Sequence, residues 1–163
     1  MRQVDGLLAM VVVLLLAAGA VYLAEVETVV GRVRIVDGDS LVLDGRSIRL
    51  AGMDAPELGQ TCARGEVVVR CGERARERLQ ALTAGREVSC RVTGRDRYRR
   101  DLARCTAGSE DLAARLVREG VAVAFGAFEA EEGDARRAGR GLWLETFDRP
   151  VAWRRQHRRE AGG

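Results

Sequence analysis

The chain contains no lysine and no asparagine, one histidine, two prolines and only 4% aromatic residues. All 27 of its basic residues are therefore arginine, and together with 19 glycines this reads as a GC-rich coding background rather than a functional enrichment. The single histidine, His157, lies among arginines near the C-terminus, which argues against catalysis by histidine dyads and against zinc sites needing several histidines. Excess positive charge is also missing where it would matter. Residues 149–160 hold five arginines against one glutamate, so of the formal charge of +3 the rest of the chain carries −1. A broadly cationic, histone-like protein is excluded. With 163 residues there is room for one ordinary domain. Its chemistry must draw on carboxylates, arginines, hydroxyls or thiols.

One long apolar run is present. Leu7 to Ala24 carries no charge over 18 residues, with Arg2 before it and Glu25 and Glu27 after it. As a helix it would span roughly 27 Å, close to a bilayer core, and the charge order directs the following chain outward. Ala18-Gly19-Ala20 offers a signal-peptidase site, so a cleaved signal competes with an uncleaved anchor; the apolar continuation through Leu23 favours the anchor. Residues 1–24 are thus expected as a signal or membrane anchor, 25–155 as the domain, and 156–163 as a basic, disordered tail. Both readings export the domain. The four cysteines, Cys62, Cys71, Cys90 and Cys105, all follow the run, and an even count in an oxidising compartment implies two disulfides. A zinc site is the competing reading, but no pair shows the close spacing such sites use.

Val33 and Ile35 alternate with Arg32 and Arg34 in a β-like run spanning residues 26–36. Two further β-like runs, SLVL and RSIRL, flank Asp44-Gly45, a strong hairpin signal. Residues 73–84 have helical spacing and end at Gly85, and strands are expected over 87–92 and 101–107. Ser109 is expected to cap a second helix that Gly120 ends, VAVAF (121–125) is β-like, and a third helix around 129–138 is broken by Gly133. About five strands with three flanking helices, after an N-terminal hydrophobic helix, suit a small OB-type barrel; a ferredoxin-like layer is the alternative. This wiring favours the pairs Cys62–Cys71 and Cys90–Cys105, the second across a hairpin.

The chemistry concentrates in IVDGDSLVLDGRSIRLAGMDAPE, residues 35–57. A two-residue turn at Asp44-Gly45 pairs Leu43 with Arg46, and counting back sets Ser40 opposite Arg49 and Asp39 beside Leu50. The hairpin thereby gathers Asp39, Asp54, Glu57 and Arg49, whereas Asp37 and Asp44 read as turn residues. Clustered carboxylates repel unless a cation intervenes, and an all-oxygen site suits a hard cation, calcium above all. An arginine beside them can grip a phosphate bidentately. Metal, carboxylate and arginine together describe phosphodiester hydrolysis.

Continuing along the chain, DRYRRDLARC (96–105), ARLVREG and RGLW follow VDGDS and IRLAGMDAPE in the order of the thermonuclease (staphylococcal nuclease-like) family, which residues 30–155 resemble. The resemblance implies an OB-fold barrel with flanking helices and a calcium-dependent nuclease acting on DNA and RNA; the apolar run places that activity outside the cytoplasm, and a monomer is expected. It implies that Asp39, Asp54 and the carbonyl of Ala55 bind Ca2+. Glu57 would activate or orient the attacking water, and Arg49 and Arg100 would bind the phosphate. Arg97, Tyr98 and Arg99 would lie near the nucleotide. Arg99 stands where the family pattern has glycine, so a left-handed backbone there would be strained, and Arg100 is the catalytic arginine by register alone. The WRRQHRRE run (153–160) reads as a solvated tail, and Trp143 and Trp153 as seals on the core. A catalytically weak OB module that only binds nucleic acid or a protein partner is the alternative function.

Overall fold

A computed structural model describes residues 10–13 and 27–160. Most of the apolar run 7–24 lies outside the described residues, and among them no helix is long and apolar enough to cross a membrane.

The first half of the domain is built by local turns. Strands β1 (Thr28–Gly31) and β2 (Val33–Ile35) are followed by the hairpin of β3 (Ser40–Leu43) and β4 (Arg46–Leu50). Asp44 and Gly45 both have positive φ (48° and 78°), the geometry a two-residue hairpin turn demands. The register is Leu43 against Arg46 and Ser40 against Arg49, as counted from sequence. Short strands β5 (Met53–Asp54), β6 (Cys62–Arg64) and β7 (Val67–Val69) lead to helix α1 (Cys71–Thr83). The helix buries Cys71, Ala75, Leu79 and Leu82. Because these lie on one face at helical spacing, burying them against the sheet stabilises α1 more than its intrinsic propensity does.

Strands β8 (Val88–Arg95), β9 (Asp101–Ala107) and β10 (Glu110–Asp111) complete the main sheet, whose order is β1-β8-β9-β4-β3-β2 with β10 beside β9. The sheet is mixed, since β4 runs parallel to β9 and its other pairings are antiparallel. Expectation and structure part here in two respects. The strands are shorter and more numerous than five, and the hydrogen-bond ladder does not close into a barrel. Its two ends, β1 and β2, are consecutive stretches joined through the backbone of Arg32. A continuous strand over 26–36 is thereby divided between two partners, β8 and β3.

Helix α2 (Leu112–Arg118) is capped by Asp111, which accepts from the Ala114 N–H at 3.0 Å; Ser109 lies two residues too early to cap it. Strand β11 (Val123–Ala124) is shorter than VAVAF because it pairs only with the two-residue β5. Helix α3 (Glu129–Arg137) runs unbroken through Gly133, anchored by the buried Glu132 and Ala135. A short 3-10 helix (Gly141–Leu144) then leads to α4 (Pro150–Glu160), a helix beyond the three expected. It extends into the segment read as a tail. The core, with Leu41, Leu43, Ile48, Leu50, Leu79, Leu112, Leu116 and Val117 at its centre, lies between the sheet and α1 and α2. Both expected disulfides are present, and Cys90 and Cys105 face each other across the β8–β9 pair.

Candidate active site

The turn before β3 presents Asp39 from a rigid frame. Asp37 accepts from the Asp39 N–H at 3.0 Å, which makes it the turn residue expected, and the Leu50 N–H donates to the Asp39 carbonyl at 2.8 Å. Arg49, one residue earlier on β4, reaches across with its fork: Nη1 donates to Asp39 Oδ1 at 2.8 Å and Nη2 to Asp54 Oδ1 at 2.7 Å. Asp54 is held by β5, paired to β11 opposite Val123. Both aspartates are buried. Burial pushes the Asp39 carboxyl up to about 7, helped by the charges of Asp37 and Asp54, and Arg49 and the Ser40 hydroxyl only partly offset this. A carboxylate in that state favours any arriving cation. The buried Ala55 turns its N–H toward Asp39 Oδ2 at 3.4 Å, so the expected trio of Asp39, Asp54 and Ala55 is together.

Glu57 sits in a loop pinned from three sides. Gln60, fully buried, accepts from the Glu57 N–H at 3.2 Å and donates to the Asp148 carbonyl at 2.7 Å. The start of α1 packs so closely that a Cβ on Gly72 would lie 1.8 Å from the Glu57 carbonyl oxygen. The Cys62–Cys71 disulfide joins the start of β6, just after this loop, to the first residue of α1. From the other side comes Arg154 of α4. Its Nη1 and Nη2 donate to both oxygens of Asp54, at 3.0 and 2.9 Å, and Nη1 also donates to Glu57 Oε1 at 2.7 Å.

Across the cleft, the turn between β8 and β9 supplies the second arginine. Arg100 is half-buried, paired with Asp96 through Nε at 2.8 Å, and its Nη1 donates to the Ser40 hydroxyl at 3.0 Å. Ser40 in turn donates to Asp39 Oδ1 at 2.8 Å, so Arg100 is one hydroxyl away from the aspartate pair. Arg99 has φ 64°, the left-handed backbone expected at that position, and its side chain is exposed. Tyr98 is exposed with Arg97 over its ring and bonded to its hydroxyl at 2.8 Å. Asp39, Arg49, Glu57, Tyr98, Arg100 and Arg154 line one cleft of about 650 Å³, with the exposed Phe125 at its side.

The donor chemistry suits a hard cation. Asp39 and Asp54 are buried carboxylates paired with two guanidinium groups, and carboxylate oxygen is the donor a hard cation takes. Among the described residues, however, no three acidic, histidine or cysteine side chains converge as a ready cage. The third donor would have to be a backbone carbonyl or solvent. Sequence reasoning gathers the hairpin residues but misses Arg154, assigned to solvent as part of a tail, and the contribution of Gln60. A signal for the first was available: Pro150 followed by Val151, Ala152 and Trp153 is a helix start with an apolar face. Of the two tryptophans, Trp143 packs edge-on against Phe147 over a small cluster of Cys62, Cys71, Val123 and Leu142, while Trp153 stacks on His157.

Known proteins resemble this chain over most of the domain. The family model described as staphylococcal nuclease homologue matches residues 47–145. The micrococcal nuclease of Shigella flexneri is 36% identical over 145 residues, covering 76% of this chain and 78% of its own. An uncharacterised endonuclease of Haemophilus influenzae is 30% identical over 139 residues, covering 77% and 72%. The succinoglycan biosynthesis protein ExoI of Rhizobium meliloti is 33% identical over 126 residues, 72% of this chain, which spans 65% of that relative's length. On the strength of the matched span and of these relatives, the chain belongs to the staphylococcal nuclease homologue family and is a nuclease-family hydrolase.

Proposed function

We propose that the protein is a calcium-dependent phosphodiesterase that hydrolyses single-stranded DNA or RNA outside the cytoplasm. The observation that carries this reading is the convergence of Asp39, Glu57, Arg49 and Arg100 on one cleft, with Asp54 buried directly behind Arg49. Asp39, Asp54 and the Ala55 carbonyl would hold the calcium ion. When bound, calcium supplies a Lewis acid for the phosphoryl oxygen and offsets the charge of the carboxylates. Glu57, the least buried of the three carboxylates with 34% of its side chain exposed, is placed to accept a proton from a water entering the cleft. Arg49 and Arg100 flank the aspartates from β4 and from the β8–β9 turn, and their forks suit the two non-bridging oxygens of a phosphodiester and the charge that grows on them. Tyr98 and Arg97 form the outer rim, where a nucleotide base and the next phosphate would lie, while Arg99 beside them is exposed and does not line the cleft.

The bent mixed sheet, with β1 and β2 as two halves of one strand, is read as the OB barrel of this family. Export is supported by the apolar run at residues 7–24 and by two disulfides, which persist in oxidising compartments. The run would serve as signal or membrane anchor. The test is hydrolysis of single-stranded DNA by the purified chain, with calcium and then with chelator. Cleavage that survives excess chelator would remove the metal assignment. Tight strand binding with no cleavage under any condition would make the protein the binding module instead.

A further inference from the structure

Arg154 enters the cleft from α4, far in sequence from the hairpin and from the β8–β9 turn. Both oxygens of Asp54 accept from arginine: Oδ1 from Arg49 and Arg154, Oδ2 from Arg154 alone. Asp54 has only 2% of its side chain exposed, and arginine N–H groups take three of its roughly four acceptor sites. A cation that Asp54 ligates would be pressed against one of the two guanidinium groups and repel it. Arg49 is fixed at both ends, since it also grips Asp39 from within the sheet. Arg154 comes from a terminal helix and has 26% of its side chain exposed, so it is the group with room to move. The start of its helix has anchors of its own. Asp148, just before α4, is held by Gln60, and Arg149 pairs with Glu132 and donates to the Ala124 carbonyl at 3.2 Å.

We propose that Arg154 is a positioning residue that occupies the Asp54–Glu57 pair until the cation arrives, yields Asp54 to it, and then turns its fork to a substrate phosphate. The proposal rests on the calcium-dependent reading above. A guanidinium freed inside a cleft that already holds two phosphate-facing arginines has a phosphate as its natural new partner. Release of Asp54 also releases Glu57, so the carboxylate that receives the proton becomes available only when the cation is in place.

The experiment is calorimetric titration of calcium into the full chain without substrate, comparing wild type with Arg154→Ala, Arg154→Gln and Arg154→Lys, and with Arg155→Ala as control. A second titration, in saturating calcium, measures binding of a phosphorothioate single-stranded oligonucleotide. Removing the competitor should tighten calcium by about 10-fold or more in the Ala and Gln variants, the worth of a charge-assisted hydrogen bond, and weaken the oligonucleotide by a similar factor. Arg154→Lys should fall between, and Arg155→Ala should match wild type. A merely structural role would weaken both ligands together. Calcium affinity that is unchanged or weaker in the folded Ala and Gln variants, or oligonucleotide affinity that does not fall, overturns the proposal and leaves the cation site standing. Absence of calcium binding in wild type as well as the variants overturns the cation site and the proposal with it.

Discussion

At Arg99 the backbone turns into the left-handed region, φ 64°, for a side chain that then extends into solvent. A non-glycine residue there costs of order 1 kcal/mol, and nothing in its own contacts offsets it. Its neighbour Arg100 has an ordinary backbone, half-burial and bonds to Asp96 and Ser40. The pair therefore separates strain from chemistry. Arg99→Gly should raise the melting temperature by a few degrees and leave cleavage of single-stranded DNA intact. Arg100→Lys keeps the charge but loses the fork, and should lower kcat at least about 10-fold with little change in stability. Glu57→Gln should lower turnover by roughly 10²–10⁴-fold while strand affinity changes little. Equal activity of wild type, Arg100→Lys and Glu57→Gln would remove both residues from the reaction.

Among the elements, the start of α1 has the closest mechanical link to the site. Gly72 lets the helix backbone approach the Glu57 loop, and its N–H donates to the Gln60 carbonyl at 3.2 Å. A methyl group there would meet main chain rather than a yielding side chain. Gly72→Ala should therefore cost about 1–3 kcal/mol, the range for overpacking, and should also move Glu57 and depress kcat. Chemical denaturation and steady-state kinetics on the same variant check both effects; a stable, fully active Gly72→Ala protein would show that the loop is free of the helix. The hairpin β3–β4 acts differently. It fixes Arg49 against Ser40 by register, so a slip of one residue would turn Arg49 away from both aspartates.

Over the whole molecule, arginine–carboxylate pairs and two disulfides supplement a small core. The disulfides close segments of 9 and 15 residues, and each is worth about 2–4 kcal/mol. Full reduction should thus lower the melting temperature substantially, and Cys90→Ala/Cys105→Ala should fold less stably than wild type at every temperature. Glu132 reports on the ion-pair system. Burial works to raise its carboxyl, but the Ala124 N–H at 2.6 Å and the Arg149 and Arg136 guanidinium groups overcome this and hold it below its ordinary 4.5. A depressed pKa in the folded state means stability that is present above 4.5 and lost as the pH falls through the folded value. Asp39, raised to about 7, acts in the opposite sense between pH 4 and 7. The difference between wild type and Glu132→Gln isolates the first effect: the variant should be less stable at pH 6–8, and the gap should close in acid. A gap that does not change with pH would mean that Glu132 contributes packing alone.

Residues close in sequence could be read without the structure. The Asp44-Gly45 turn specifies its own φ values, and from it follow the Ser40–Arg49 register, the Asp39–Leu50 contact and the approach of Arg49 to Asp54. Cysteine spacing and the β8–β9 hairpin likewise made both disulfides legible. What escaped depended on contacts far apart in the chain. The division of one strand between β8 and β3, the truncation of β11 to match β5, and the continuity of α3 through Gly133 are each set by a packing partner. Arg154 is the clearest case, 97 residues from Glu57 and 100 from Asp54. Local propensity can announce a helix at Pro150, but the buried Asp54 and its neighbour Glu57 take whichever cation the assembled fold delivers, and no pattern around Arg154 encodes that meeting.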